Sequence, residues 1–372
     1  MRTKTHVKAV AVAFAATERR QQRLAQRPEK TWSRITVAAL VAALLMVVLA
    51  PTAFAQEPVG SLLFVNRATD AQAFAYIDRY GLFHQTYSLL SNHTYAAPGV
   101  SHVVNTANGF LIYHDQTGFA YVERIQHNGY PDLGYNYNSR VGWRDILSIG
   151  DYLFFYKGDR SGAIGYITPS DGRFVQTATY LPGSFGYWSH IVATDNFLFF
   201  YNRFDGSAAV GYIAVGGSFV TTEYYPPGTL ATFDYIVSDG RFLLLYNQQT
   251  GASMLGVIEK PGRFTLRGSL TLPAGYNKLV RHDRYLFLYN SNAGGGTIGY
   301  IDPYNFERFT ITQQSAFSPS WTRIVSTKDE LVFYNSVSGQ TAVGHIDHSG
   351  HFLQTQVLSL PTGWGHVVAT AR

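Results

Sequence analysis

The sequence predicts an all-β protein, a seven-bladed β-propeller built from four-stranded antiparallel blades. Three observations carry that expectation. An apolar strand ending in Tyr-Asn or a close variant recurs seven times, two further anchors follow each recurrence in fixed order, and the C-terminus supplies the one strand that the first copy lacks. A fixed repeat period of about 40 to 50 residues marks a propeller or a solenoid.

The first anchor ends at Asn66, His114, Lys157, Asn202, Asn247, Asn290 and Asn335, at intervals of 43 to 48 residues. Runs such as LFFYN (198–202) and LLLYN (243–247) are apolar at nearly every position instead of alternating. A strand of that kind is buried on both faces, as when blades pack face to face around a ring. The second anchor, of the VGYID type, ends at Asp78, Glu123, Thr168, Ala214, Glu259, Asp302 and Asp347, and most copies continue into Gly-x-Phe, as in Gly172-Arg173-Phe174. The third is an aromatic residue followed three positions later by Ile, Val or Leu: Trp143, Trp188, Phe233, Tyr276, Trp321 and Trp364, with Val100 in the remaining copy.

Turn signals such as Asn247-Gln248-Gln249-Thr250-Gly251 separate the first two anchors and close hairpins. One unit therefore reads as four strands, WSHIVAT, FLFFYN, AAVGYIA and SFVTTEYY between Trp188 and Tyr225, with PPGTLAT crossing to the next blade. The aromatic-anchored strand is expected innermost. A solenoid would need polar capping repeats at its ends, and the sequence has none. The first copy begins at Ser61 directly with its apolar strand, and Trp364 to Ala369 is the missing one, so the two are expected to pair and close the ring.

Composition agrees with a strand-rich chain: 15% aromatic against 14% charged, a balance that suits pleated, half-buried surfaces. The formal charge of +5 sits in residues 1–55, which hold nine Lys or Arg and two Asp or Glu; the remainder has 20 basic and 22 acidic residues. No basic stripe survives there to bind a phosphate backbone, which excludes a nucleic-acid partner. Residues 1–55 read as a secretory signal: a basic region over 1–34, an apolar run from Ile35 to Ala50, and cleavage after Ala55. A linker over 56–60 then leads into the propeller of 61–372. The run is shorter than the roughly 20 residues of a membrane span. The expected location is secreted, extracellular or periplasmic, with an uncleaved membrane anchor as the alternative. The chain has no cysteine, so disulfides, thiolate metal sites and cysteine nucleophiles are excluded.

Candidate binding residues come from the repeat. Exposed faces of Trp143, Trp188, Trp321, Trp364 and Tyr276 could stack on sugar rings; the competing reading, which their recurrence favours, is that each wedges between blades as core. Two residues after each aromatic lies a variable polar position, occupied by His102, Asp145, His190, Tyr235, Lys278, Arg323 and His366. Asp145, His190 and Arg323 are the candidates for an asymmetric polar site, against a solvated lining. The recurrent Asn and the acids ending the second anchor read as turn caps. His345, His348 and His351 at i, i+3, i+6 do not share a face of a strand, and no metal or other cofactor is expected. Paired carboxylates for glycoside cleavage are also missing, since Asp145 is the only acid of the variable set.

The tryptophan start, the LFFY-type strand and the period, taken over residues 61–372, resemble tachylectin-type lectin propellers, although VGYID followed by Gly-x-Phe is not that family's signature. The resemblance implies sugar binding. The functional expectation is a secreted, non-enzymatic, lectin-like module for a glycan or cell-surface polysaccharide. The alternatives are a scaffold for an extracellular protein and a glycan-cleaving enzyme.

Overall fold

The computed structural model describes residues 60–89, 99–107, 109–125, 131–302 and 308–370. The expected signal segment and most of the linker lie outside the described residues. Seven four-stranded antiparallel sheets form seven blades. Blade 4 is typical, with strands His190–Ala193, Leu198–Tyr201, Ala208–Ile213 and Phe219–Tyr225. The strands that follow the third anchor contact one another in an unbroken cycle, so they are the innermost ones and line the channel. Blade 1 takes its inner strand, His366–Ala369, from the far end of the chain. That strand pairs antiparallel with Gly60–Val65 in the register Leu62↔Ala369 to Val65↔His366 and closes the ring.

The second strand of each blade is the core of the fold. All positions of Leu198–Tyr201, Phe242–Tyr246 and Leu331–Tyr334 are buried, because one face of each strand packs on the preceding blade and the other on the following blade. Six tyrosines ending these strands do a second job. The hydroxyls of Tyr113, Tyr156, Tyr201, Tyr246, Tyr289 and Tyr334 accept the backbone N–H of Trp143, Trp188, Phe233, Tyr276, Trp321 and Trp364 in the next blade, at 2.9 to 3.3 Å. Each donates in turn to a carbonyl of the crossover link, at 2.6 to 2.8 Å. A buried hydroxyl must find such partners, and here they fasten blade to blade.

The Gly-x-Phe signature also has a packing cause. The ring of Phe219 lies over Gly211 of the neighbouring strand, where a Cβ would come within 2.2 Å of it. The same pairing recurs as Gly165 with Phe174, Gly256 with Phe264, Gly299 with Phe309 and Gly344 with Phe352, each at a register shift between the third and fourth strands. The recurrent Asn residues cap their hairpins: Asn247 Oδ1 accepts the N–H groups of Gln249 and Thr250.

One strand-end assignment needs correction. Glu123 does not end a strand as a turn cap like Asp78, whose Oδ1 accepts the N–H groups of Tyr80 and Leu82. It lies within Phe119–Ile125 opposite Phe110, at the bulge that blades 3 to 7 give to glycine and blade 1 to Ala75. Blade 2 places Pro131 where the others have the covering phenylalanine.

Candidate functional site

The inner strands begin at the channel mouth where the crossover links end, so the variable polar residues form one ring there. The five aromatic candidates do not join them. Trp143, Trp188, Trp321, Trp364 and Tyr276 are at most 7% exposed, and the expectation of exposed stacking faces is corrected. The tryptophan rings wedge against core aromatics of their own blade, as Trp188 does on Phe200 and Trp321 on Phe333, both at 5.8 Å between centroids, and Tyr276 packs on Tyr246 of the preceding blade.

The variable side chains reach sideways to the next blade. His102 Nε2 lies 2.9 Å from the Arg144 carbonyl, His190 Nε2 2.9 Å from that of Asp234, and His366 Nε2 3.3 Å from that of Val100. A carbonyl only accepts, so Nε2 carries the proton in all three. Arg323 donates Nε and Nη2 to the Gly365 carbonyl at 2.8 and 2.6 Å. Asp145 instead pairs with the adjacent Arg144 at 2.6 Å. Of the sequence candidates, His190 and Asp145 therefore share one sector with Asp234 and Arg203, whereas Arg323 lies in another.

That second sector, spanning blades 6, 7 and 1, gathers cations without compensation among the described residues. Lys278 and Arg323 each open an inner strand, and Arg67 leaves the hairpin of blade 1 to lay its stem over Gly365, where a Cβ would sit 2.5 Å from its Cγ. Arg67 Nε donates to the same Val100 carbonyl as His366, at 3.2 Å. No carboxylate of a described residue forms an ion pair with Arg67, Lys278 or Arg323. Burial and the Arg323 charge hold Lys278 below the ordinary lysine value, and burial and Arg67 act on Arg323 in the same sense. Burial, with Arg67, Arg323 and His102 adding to it, pushes His366 down to about 4, so its imidazole is neutral near pH 7.

The Nδ1 atoms divide the histidines further. Those of His102 and His190 face the hydroxyls of Ser101 and Ser189 at 3.0 and 2.8 Å. These serines resemble nucleophiles beside a base, but each also accepts a hairpin N–H, from Asp115 and Arg203, and Thr322 makes the equivalent bond to Ser336. Their place in the hairpin accounts for them. Gly365 precedes His366 and offers no hydroxyl, and Nδ1 of His366 accepts no hydrogen bond from a described residue. Beside Lys278 and Arg323 a crevice of about 550 Å³ opens between blades 6 and 7, its rim carrying Ser291, Asn292 and Ser338.

Away from this ring, in blade 7, His345 turns to Glu330 and His351 to Asp347, each at 3.9 Å. Among the described residues no group of three His, Asp or Glu has metal-binding geometry.

Sequence reading missed Arg67, which belongs to no repeat anchor, and it included Lys278 and His366 in the variable ring without selecting them. Arg67 and Arg323 are 256 positions apart; only ring closure unites them.

No protein-family model matches the chain, and no curated protein is a significant match. Solved structures do resemble it. A protein assigned as a 6-phosphogluconolactonase from Bacteroides uniformis aligns with a TM-score of 0.63 at 12% identity, over 85% of this chain and 100% of that one. One similarly assigned from Bacteroides fragilis gives 0.61 at 13%, over 86% and 99%. The periplasmic gluconolactonase of Pseudomonas aeruginosa gives 0.55 at 17%, over 84% and 99%. At such identities the likeness shows the fold alone. The tachylectin-type resemblance is thereby replaced by a likeness to lactonase-named propellers. The expectation of a non-enzymatic lectin-like module does not stand: these neighbours are named as enzymes, and the aromatic faces meant to stack on sugars are buried.

Proposed function

We propose that the chain is a hydrolase that opens the cyclic ester of a small, anionic sugar acid at the channel mouth, in the sector of Lys278, Arg323, His366 and Arg67. The observation that carries this reading is the cluster of cations without carboxylate partners. Burying like charges together costs energy unless something compensates, and perturbed groups gathered in a cleft mark functional sites. A substrate carrying carboxylate or phosphate supplies the compensation. The lactonase names of the structural neighbours support the reaction type, and the basic-then-apolar leader supports action outside the cytoplasm.

Lactone hydrolysis needs a base for water and stabilisation of the oxyanion that forms at the carbonyl. In this reading Lys278 and Arg323 hold the substrate's anionic group and face the developing oxyanion. His366 Nδ1 takes a proton from water as the water oxygen bonds to the carbonyl carbon. The ring C–O bond then breaks, and the imidazolium returns that proton to the departing alkoxide. A bound anion offsets the field of Arg67 and Arg323 that depresses His366, so the imidazole becomes a stronger base when substrate is present.

The test is hydrolysis of glucono-δ-lactone and its 6-phosphate above the spontaneous rate. Lys278→Met removes one charge-assisted contact, and the loss of about 1.5 to 3 kcal/mol predicts a KM raised by roughly ten- to a hundredfold for the phosphorylated lactone. No acceleration of either lactone between pH 5 and 8, or an unchanged KM in the variant, would remove the proposal.

A further inference from the structure

Six seams of the ring are fastened alike, by a tyrosine hydroxyl on the N–H of the next blade's aromatic anchor. The seam between blades 1 and 2 has neither partner: Val65 stands where the tyrosine would be and Val100 where the aromatic would be, both fully buried. The glycine and phenylalanine pairing is missing from the same place, with Glu123 and Pro131 at those positions. Two independent repeat devices are thus replaced at one seam.

What fills the space is polar. Glu123 lies opposite Phe110 and Tyr121 opposite Ile112 in the blade 2 ladder. All four therefore share the face that packs on Leu63, Val65 and Phe74 of blade 1. From blade 1, Gln72 donates Nε2 to Tyr121 Oη at 2.5 Å. Gln72 and Glu123 are both 0% exposed. Gln72 Oε1 accepts no hydrogen bond from a described residue, and neither does either Glu123 oxygen. A carboxylate cannot donate to that amide oxygen, but a carboxylic acid can.

We propose that the seam between blades 1 and 2 is a proton-controlled joint of the ring, held shut by protonated Glu123 packed with Gln72 and Tyr121. The titratable groups around it give an ionised Glu123 little relief. Burial, with Glu123 itself and Asp70 of blade 1 adding to it, raises the Tyr121 hydroxyl, so the phenol stays neutral and supplies no countercharge. His114 lies 3.9 Å from Asp70. No Lys or Arg of a described residue forms an ion pair with Glu123. Burial raises Glu123 to about 8, and the neighbouring Gln72 amide offsets only part of that rise. Opening the seam wets the carboxyl, returns it to its ordinary value of 4.5 and releases one proton, so opening becomes easier as pH rises from 4.5 to 8 and levels off above. Arg67 and His366 both reach across this seam to Val100, so the joint also sets where two residues of the site stand.

Hydrogen exchange on the full-length protein between pH 5 and 8, corrected for intrinsic rates, reads the joint without any ligand. Protection of amides in Gly60–Val65 and Gly109–His114 is expected to fall about tenfold per pH unit between about pH 6.5 and 8, and less steeply below 6.5 where His366 takes up a proton on opening, while Phe242–Tyr246 in blade 5 stays level. Glu123→Gln keeps the shape and carries a permanent donor, and its seam is expected to show no such slope. Equal slopes in blades 1, 2 and 5, a flat wild-type seam, or an unchanged slope in Glu123→Gln overturns the proposal. If that variant does not fold, the wild-type contrast between seams decides alone.

Discussion

The Tyr201 hydroxyl accepts the Phe233 backbone N–H at 2.9 Å and donates to the Ala231 carbonyl at 2.6 Å, so one side-chain oxygen fixes both the crossover link and the start of the next inner strand. Tyr201→Phe strips both partners at once and leaves a buried N–H unpaired. Such a loss costs about 1 to 3 kcal/mol. Denaturant unfolding is expected to show it, with Tyr187→Phe, at an exposed tyrosine, near zero. Equal effects would make the fasteners unimportant.

Gly211 gives a steric prediction. A Cβ there meets the Phe219 ring at 2.2 Å and the Val220 carbonyl oxygen at 2.6 Å, and the backbone contact cannot be relieved by a rotamer change. Gly211→Ala should destabilise by about 1 to 3 kcal/mol. Gly158→Ala, where no atom lies within 4 Å of the added methyl, should stay within about 0.5 kcal/mol of wild type.

Ring closure rests on a short strand. His366–Ala369 supplies four paired residues and places Trp364 and Val367 in the core between blades 7 and 1. Deleting residues 363–372 should therefore lower the melting temperature of the whole domain cooperatively, because every blade depends on two neighbours. A truncated protein that melts like the full chain would show that the ring does not need its clasp.

The architecture was legible because each anchor is a local consequence of a repeated contact. Two-sided burial makes the second strand apolar throughout, and the Phe219 ring makes Gly211 necessary. Glu123 was misread for the same reason: the letters AYVE resemble AYID, but in blade 2 they begin closer to the hairpin glycine, so the acid falls mid-strand. The aromatic anchors look like binding residues in sequence because tryptophan serves both core and ligand, and only burial distinguishes the uses. The cationic sector showed in the sequence only as the variable position that holds Lys278, Arg323 and His366, since Arg67 owes its neighbours to closure and the cations resemble any surface charge until their lack of carboxylates is seen.

Acid should act through His366, and in the opposite sense to Glu123. His366 titrates at about 4 in the folded protein against an ordinary 6.5, so between these values the unfolded chain binds the extra proton. The histidine's contribution is therefore present above pH 6.5 and is lost as pH falls to 4. His190 and His282, also lowered by burial, add to the same slope. Glu123 favours the folded state as pH falls through 8 toward 4.5, so the two effects partly cancel between pH 4.5 and 6.5. Unfolding measured over that range should respond to each variant separately. His366→Asn keeps a donor for the Val100 carbonyl but cannot titrate, and it should lessen the loss of stability in acid. Glu123→Gln should deepen that loss by removing the compensating group. If His366→Asn leaves the acid limb unchanged, the imidazole is not held neutral by burial and its cationic neighbours, and its part in proton transfer falls with it.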